Sequence, residues 1–185
     1  AAAKTIEVAA GRTLTVNTTG SITAGTITGD GNVNVTVDAS SGQMGATIDV
    51  GGDVTINGGT SNTVGVTTDV TGGSITLGEN VTLPATGVDL TATTGNIVLN
   101  GDGVSFTAAA TFTAQGDVEL NNDTTAFAGA SSQLLTIEAG GDVTIGGVGI
   151  GNYVAVEAAN IDVETTTAMT CTNRTLTATG TVTGD

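Results

Sequence analysis

The chain has 185 residues, among them 29 glycines and a single proline, and its aromatic content is only 2%. Eighteen acidic residues, three basic residues and no histidine give a formal net charge of −15. A surface of this sign repels phosphate backbones and anionic membranes, so we expect no nucleic-acid partner. The sequence also lacks a run of about 18 apolar residues, which predicts no membrane insertion.

The most regular feature of the sequence is an apolar column that recurs at a step of about 21 residues. Its members are Val33, Val54, Ile75, Ile97, Val118, Val143, Ile161 and Val182. A second column follows two residues later, at Val35, Ile56, Leu77, Leu99, Leu120, Ile145 and Val163. A fixed period of this size is typical of a solenoid, whose coils bury their apolar faces by stacking. The sequence therefore predicts one solenoid domain over residues 1–185.

Each repeat starts with a glycine, a small polar residue and an alternating segment, as in Gly31–Val35, Gly52–Ile56 and Gly116–Leu120. Alternation with a period of two is typical of a half-buried strand, and glycine beside Asp, Asn or Ser favours a sharp turn. Further alternating pairs, such as Val64 and Val66, add strands within each repeat. The predicted fold is all-β: a single-stranded parallel β-solenoid of about nine coils, with three short strands per coil and no capping helix.

The polar residue after the turn glycine forms a column of its own, made of Asn32, Asp53, Ser74, Asn96, Asp117, Asp142 and Asn160. We expect this column to accept hydrogen bonds from amides at the corners of the coils. Asp117 and Asp142 are adjacent carboxylates within it and are candidate Ca²⁺ ligands, because calcium prefers oxygen ligands. The Gly-Gly-x-Gly-x-Asp pattern of calcium-binding β-rolls is absent, so the sequence predicts no metal and no cofactor, with calcium left as the alternative.

Residues that could support catalysis are scarce. No histidine is available for a triad or an imidazole metal site, and Cys171 is the one cysteine and lacks a base partner. We therefore predict that the chain is not an enzyme. Threonine is abundant, but the outward positions between the two apolar columns include Val98, Glu119 and Asp162. These interruptions argue against a regular ice-binding threonine array.

Five Asn-x-Thr sequons are candidate N-glycosylation sites, and they lie at Asn17, Asn34, Asn80, Asn122 and Asn173. The sequence starts with Ala1-Ala2-Ala3-Lys4 and without methionine, which is typical of a mature chain that follows a small-residue cleavage site. We therefore expect an extracellular or cell-surface location.

Neither end of the sequence carries an obvious cap, although a soluble solenoid needs one to cover its terminal strands. Uncapped coils can add a further copy by continuing the β-ladder, which gives an open head-to-tail filament. The predicted assembly interface consists of Lys4, Ile6, Val8 and Arg12 at one end and Arg174, Leu176, Val182 and Asp185 at the other. We expect Lys4 and Arg12 to face Asp162, Glu164 or Asp185 of the next copy.

The units Gly52–Ile56 and Gly141–Ile145 resemble the repeats of filamentous-haemagglutinin-type bacterial adhesins. The resemblance implies a right-handed parallel β-helix, secretion and a role in surface attachment. We interpret the chain as the structural subunit of a secreted extracellular filament whose partner is another copy of itself. The alternative is a surface adhesin stalk or a carbohydrate-binding segment with an exposed groove, for which the candidate aromatic residues are Phe106, Phe127 and Tyr153; we expect these three rings to stack at one internal corner.

Overall fold

The computed structural model describes the chain except for residues 1–3, 24, 85–86, 101–104, 107, 122–134, 148–152, 166–172 and 185. The described part consists of β-strands, turns and bends and contains no helix, so it also contains none that could cross a membrane. The strands are β1 Thr5–Val8, β2 Thr13–Thr18, β3 Thr26–Gly29, β4 Asn32–Val37, β5 Gly42–Met44, β6 Thr47–Val50, β7 Val54–Gly58, β8 Val64–Val66, β9 Val70–Gly72, β10 Ile75–Leu77, β11 Val81–Leu83, β12 Val88–Ala92, β13 Ile97–Leu99, β14 Ser105–Phe106, β15 Ala110–Ala114, β16 Val118–Leu120, β17 Leu135–Ala139, β18 Val143–Gly147, β19 Tyr153–Ala158, β20 Ile161–Thr165, β21 Asn173–Ala178 and β22 Val182–Gly184.

These strands form three parallel sheets, which confirms the predicted parallel β-solenoid. Sheet 1 has nine strands in the order β1-β3-β6-β9-β12-β15-β17-β19-β21. Sheet 2 also has nine, in the order β2-β4-β7-β10-β13-β16-β18-β20-β22, and sheet 3 has four described strands, in the order β14-β11-β8-β5. Each strand of sheets 1 and 2 belongs to one coil, which roughly matches the predicted count of about nine coils.

The strand register confirms the apolar columns read from the sequence. In sheet 2, Val33 pairs with Val54, Val54 with Ile75 and Ile75 with Ile97, and the same column continues to Val182. The structure extends this column by one coil, because Val33 also pairs with Leu14 of β2. Like residues therefore lie above like residues along the whole described length of the sheet.

The core is the narrow interior enclosed by the three sheets. Its buried residues are almost all Val, Ile, Leu and Ala, and many of them have no solvent exposure. Phe112 of β15 is the exception in size: it is fully buried in sheet 1, in register with Leu90 on one side and Ile137 on the other. Because a single coil cannot enclose these side chains, the core exists only where coils are stacked.

The expected aromatic stack is wrong in one respect. Phe106 belongs to β14 of sheet 3, where it pairs with Leu83. Tyr153 begins β19 of sheet 1, where it pairs with Asn173, so these two aromatic residues lie on different sheets. Tyr153 is one residue out of step with the Phe106 position, and that offset places it in another column. Phe127 lies outside the described residues.

We predict that Leu77→Ala will lower the free energy of unfolding by about 2–5 kcal/mol, because Leu77 is fully buried and the truncation leaves a cavity. Its neighbour Thr76 points to the other face of β10 and is half-buried, so Thr76→Ala serves as the matched control with a loss below about 1 kcal/mol. Urea unfolding followed by circular dichroism measures both. Equal losses for the two variants would contradict the assigned facing of this strand.

Candidate assembly ends and the corner ladder

Six of the seven members of the polar corner column, all except Ser74, make the same type of contact between coils, which we call the corner ladder. In each contact the side-chain oxygen accepts a hydrogen bond from the backbone N–H of the equivalent residue one coil further along the chain. The donor-to-acceptor distances are 2.9 Å for Asp53 N to Asn32 Oδ1, 3.1 Å for Ser74 N to Asp53 Oδ1, 2.9 Å for Asp117 N to Asn96 Oδ1, 2.8 Å for Asp142 N to Asp117 Oδ1, 3.2 Å for Asn160 N to Asp142 Oδ1 and 2.9 Å for Thr181 N to Asn160 Oδ1. The predicted role in binding corner amides is therefore confirmed for these six acceptors.

Most ladder residues follow a glycine that makes room for the ladder, and Asn160, which follows Ala159, is an exception. A Cβ atom on Gly116 would collide with Asn96 Oδ1, and it would also lie 3.0 Å from the carbonyl oxygen of Gly95. A Cβ on Gly52 or Gly141 would likewise collide with the ladder oxygen of the coil before it. The recurring Gly-Asp and Gly-Asn pairs thus act together: the glycine of one coil leaves space for the Asn or Asp side chain of the coil before it, and that side chain accepts the hydrogen bond from the amide that follows the glycine.

The two candidate calcium ligands, Asp117 and Asp142, both accept hydrogen bonds in the corner ladder. Asp117 Oδ1 accepts the N–H of Asp142, and Asp142 Oδ1 accepts both the N–H and the side-chain Nδ2 of Asn160, the latter at 2.7 Å. In the described part of the chain no three His, Cys, Asp or Glu residues come together in a way that could hold a metal ion. We therefore assign Asp117 and Asp142 to the ladder.

The N-terminal end of the solenoid is formed by β1 and β2. Within the described residues, β1 pairs with β3 alone and β2 with β4 alone, so each strand leaves one edge unpaired. Ile6 is 46% exposed, while Val8 is buried. Lys4 and Arg12 are exposed. The predicted N-terminal half of the assembly interface therefore lies at the end of the described solenoid where β1 and β2 each have one unpaired edge.

The C-terminal end has the same construction with β21 and β22. In the part of the chain that the structure describes, β21 pairs with β19 alone and β22 with β20 alone. Val182 is 52% exposed and Leu176 is half-buried. Arg174 lies in β21, whereas Asp185 is outside the described residues.

Ile6 and Val182 are exposed because they occupy the ends of core columns. Ile6 pairs with Ile27, which is 4% exposed, and Val182 pairs with Ile161, which is fully buried. They are the exposed large hydrophobic residues of the described chain, and they lie at opposite ends. Within the described residues, each end therefore presents a core column whose last side chain is covered on one side only.

The expected charge pairing between ends does not follow from the register. Asp162 lies in β20, one coil inside the C-terminal end, and its Oδ1 accepts a hydrogen bond from Thr183 Oγ1 at 2.8 Å. Glu164 also lies in β20, where its backbone pairs with Gly146. If the β-sheets continued in register into a further copy, neither Asp162 nor Glu164 would therefore lie directly against Lys4 or Arg12.

The sequons have different surroundings. Asn17 and Asn34 are exposed on strands of sheet 2. Asn80 is half-buried, has a φ of 54°, and donates from Nδ2 to the carbonyl oxygen of Gly59 at 2.8 Å. Asn173 begins β21, and Asn122 lies outside the described residues. Glycosylation stays a prediction, and Asn80 would lose a hydrogen bond if it were modified.

No family model, curated protein or solved structure matches the chain. The solenoid fold is therefore established by the strand pairing alone, and the resemblance to filamentous-haemagglutinin repeats stays a prediction.

We predict that Gly116→Ala will lower the free energy of unfolding by about 1–3 kcal/mol, because the added methyl group competes with Asn96 Oδ1 for the same space. Gly20→Ala is the matched control, since the nearest atom to its added Cβ would be Thr18 Oγ1 at 3.9 Å. Urea unfolding of both variants measures the difference. A Gly116→Ala protein as stable as Gly20→Ala would contradict the packing of glycine against the ladder.

Proposed function

We propose that the chain is the structural subunit of an extracellular filament that grows by head-to-tail stacking of copies. The observation that carries the proposal is the pair of open parallel edges at opposite ends, each with an exposed core residue, Ile6 or Val182. Every described strand pair is parallel, so a copy stacked on either end keeps the direction of the strands. The β-ladder can then continue from one copy into the next.

The register specifies the junction that such stacking would form. Strand β21 would pair with β1 of the next copy, and β22 would pair with β2. The column that starts at Ile6 ends at Leu176, so these two side chains would stack, and Val182 would stack on Leu14 in the same way. Each junction would bury apolar side chains, which contribute roughly 1.5–3 kcal/mol apiece when fully removed from water.

On the sides of the solenoid, the residues that the structure describes offer no comparable apolar surface. The outward row of sheet 1 carries exposed carboxylates such as Asp49, Glu138 and Glu157. Because the net charge is −15, side-by-side association brings like charges together, whereas end-to-end association covers apolar residues. Growth in one dimension is therefore favoured over clumping.

This arrangement favours the filament over the adhesin stalk or carbohydrate-binding segment. Sugar-binding grooves commonly present aromatic rings, whereas Phe112, the aromatic residue whose side chain the structure describes, is fully buried. The extracellular location is part of the proposal and stays a prediction.

We predict that the purified 185-residue protein forms unbranched fibres in negative-stain electron microscopy. The nine strands of sheet 1 or of sheet 2, at about 4.8 Å each, give an expected axial repeat of about 43 Å per copy. Ile6→Asp and Val182→Asp each place a charge in the apolar junction and should raise the critical concentration at least about tenfold. Thr47→Asp, which adds the same charge to the exposed side of β6, should leave it within about twofold of the wild-type value.

Discrete short particles from the wild-type protein across salt and protein concentrations would overturn the proposal. So would equal effects of Thr47→Asp and Ile6→Asp, because the ends would then have no special role.

We further predict a specific disulfide across the junction, tested in a Cys171→Ser background. In-register stacking places Glu7 of one copy beside Thr177 of the next, at the strand spacing of about 4.8 Å, which suits a disulfide. The pair Glu7→Cys with Thr177→Cys should therefore give ladders of covalent oligomers on non-reducing gels. The control pair, Glu7→Cys with Thr175→Cys, is offset by two residues, about 8 Å apart, and should crosslink far less. Equal crosslinking of both pairs would contradict the proposed register.

A further inference from the structure

The two ends of one column carry positive charge. Lys4 precedes Thr5, which pairs with Thr26, so Lys4 takes the register position next to Gly25. At the other end of sheet 1, Arg174 pairs with Val154. Following the register through the sheet joins these positions in one column, whose successive members are Lys4, Gly25, Ala46, Thr68, Val88, Ala110, Leu135, Val154 and Arg174.

The middle of this column belongs to the core. Ala46, Val88, Ala110 and Leu135 are buried, with exposures between 1% and 7%. A charged residue at such a position is tolerated at the edge of a sheet and is unfavourable in its middle. Lys4 is exposed because β1 is an edge strand. Stacking a further copy would convert both column ends into middle positions.

We propose that Lys4 and Arg174 of neighbouring copies form a like-charge pair at every junction and thereby set the concentration at which the solenoid polymerises. The inference rests on the proposed head-to-tail function. In-register stacking places the two residues in adjacent coils, about 4.8 Å apart along the backbone. Like charges directly opposite each other on neighbouring strands are destabilising. The pair thus opposes the apolar contacts of the same junction and restrains edge-to-edge growth.

Among the described residues of sheets 1 and 2, the other columns that would meet at the junction contain no pair of like charges. Leu176 would meet Ile6, and Val182 would meet Leu14. Outside the core, Thr181 would meet Thr13 and Thr183 would meet Thr15 on the outward side of sheet 2. In these described columns, Lys4 and Arg174 are therefore the two charged residues that would lie opposite each other.

A charge-reversal cycle tests the pair. Lys4→Glu alone and Arg174→Glu alone each convert repulsion into attraction and should lower the critical concentration about three- to tenfold at physiological salt. The double variant restores a like-charge pair and should return to within about twofold of the wild-type value. Each reversal makes the net charge more negative by two, so a general charge effect would instead change the critical concentration steadily from wild type to single to double variant.

Arg12→Glu provides the matched control. It makes the same change of charge at the same end, but Arg12 precedes Thr13, which pairs with Asn32 in sheet 2, so it lies outside the column of Lys4. Combining Arg12→Glu with Arg174→Glu should give additive effects. Critical concentrations from sedimentation of fibres, with electron microscopy of each pellet, supply the readout.

The outcomes separate the two proposals. Fibres from the wild type with additive effects of Lys4→Glu and Arg174→Glu would overturn the like-charge pair and leave the filament intact. Absence of fibres from wild type and all variants would overturn the filament and, with it, the pair. The expected result is a critical concentration that is lower than that of the wild type in both single variants and returns close to the wild-type value in the double variant.

Discussion

The structure depends on parallel in-register stacking, in which each coil completes the core of its neighbours. The apolar columns are buried only because a coil lies on each side, as the contrast between Ile161, fully buried, and its partner Val182, about half exposed, demonstrates. Stability is therefore a property of neighbouring coils and not of the single coil. The same dependence makes the first and last described coils different from the rest, since each is paired on one side only among the described strands.

The corner ladder supplies hydrogen-bond acceptors for the backbone amides at the corners, where the chain turns between sheets. Strand amides are satisfied within the sheets, but a corner amide lies outside the regular pairing and needs another acceptor. Asn and Asp supply that acceptor one coil earlier, and glycine in the next coil leaves space for it, as Asn96 and Gly116 illustrate. The Asn or Asp side chain at a corner of one coil thus holds the backbone amide at the equivalent corner of the next coil.

Sequence reasoning predicted the sheet 2 columns and the corner ladder, because both recur with a glycine and an amide or carboxylate at a constant offset. It missed Leu14 as the first member of its column, since the coil that contains it starts with Arg12-Thr13 in place of Gly-Asn or Gly-Asp. It also missed the shared column of Lys4 and Arg174. Between its charged ends that column mixes Gly, Ala, Thr, Val and Leu with no regular order, and only strand pairing through the whole of sheet 1 connects its ends. The expected opposition of basic and acidic ends stays a prediction, with Asp185 outside the described residues.

The corner ladder has a direction: oxygen acceptors always belong to the earlier coil and N–H donors to the later one, from Asn32 to Thr181. The molecule is consequently a polar object, with chemically distinct tips even though both are open strand edges. A fibre assembled from it by head-to-tail stacking would have the same polarity along its whole length. Its two tips would meet an incoming subunit with different groups, and elongation would proceed at unequal rates at the two extremities.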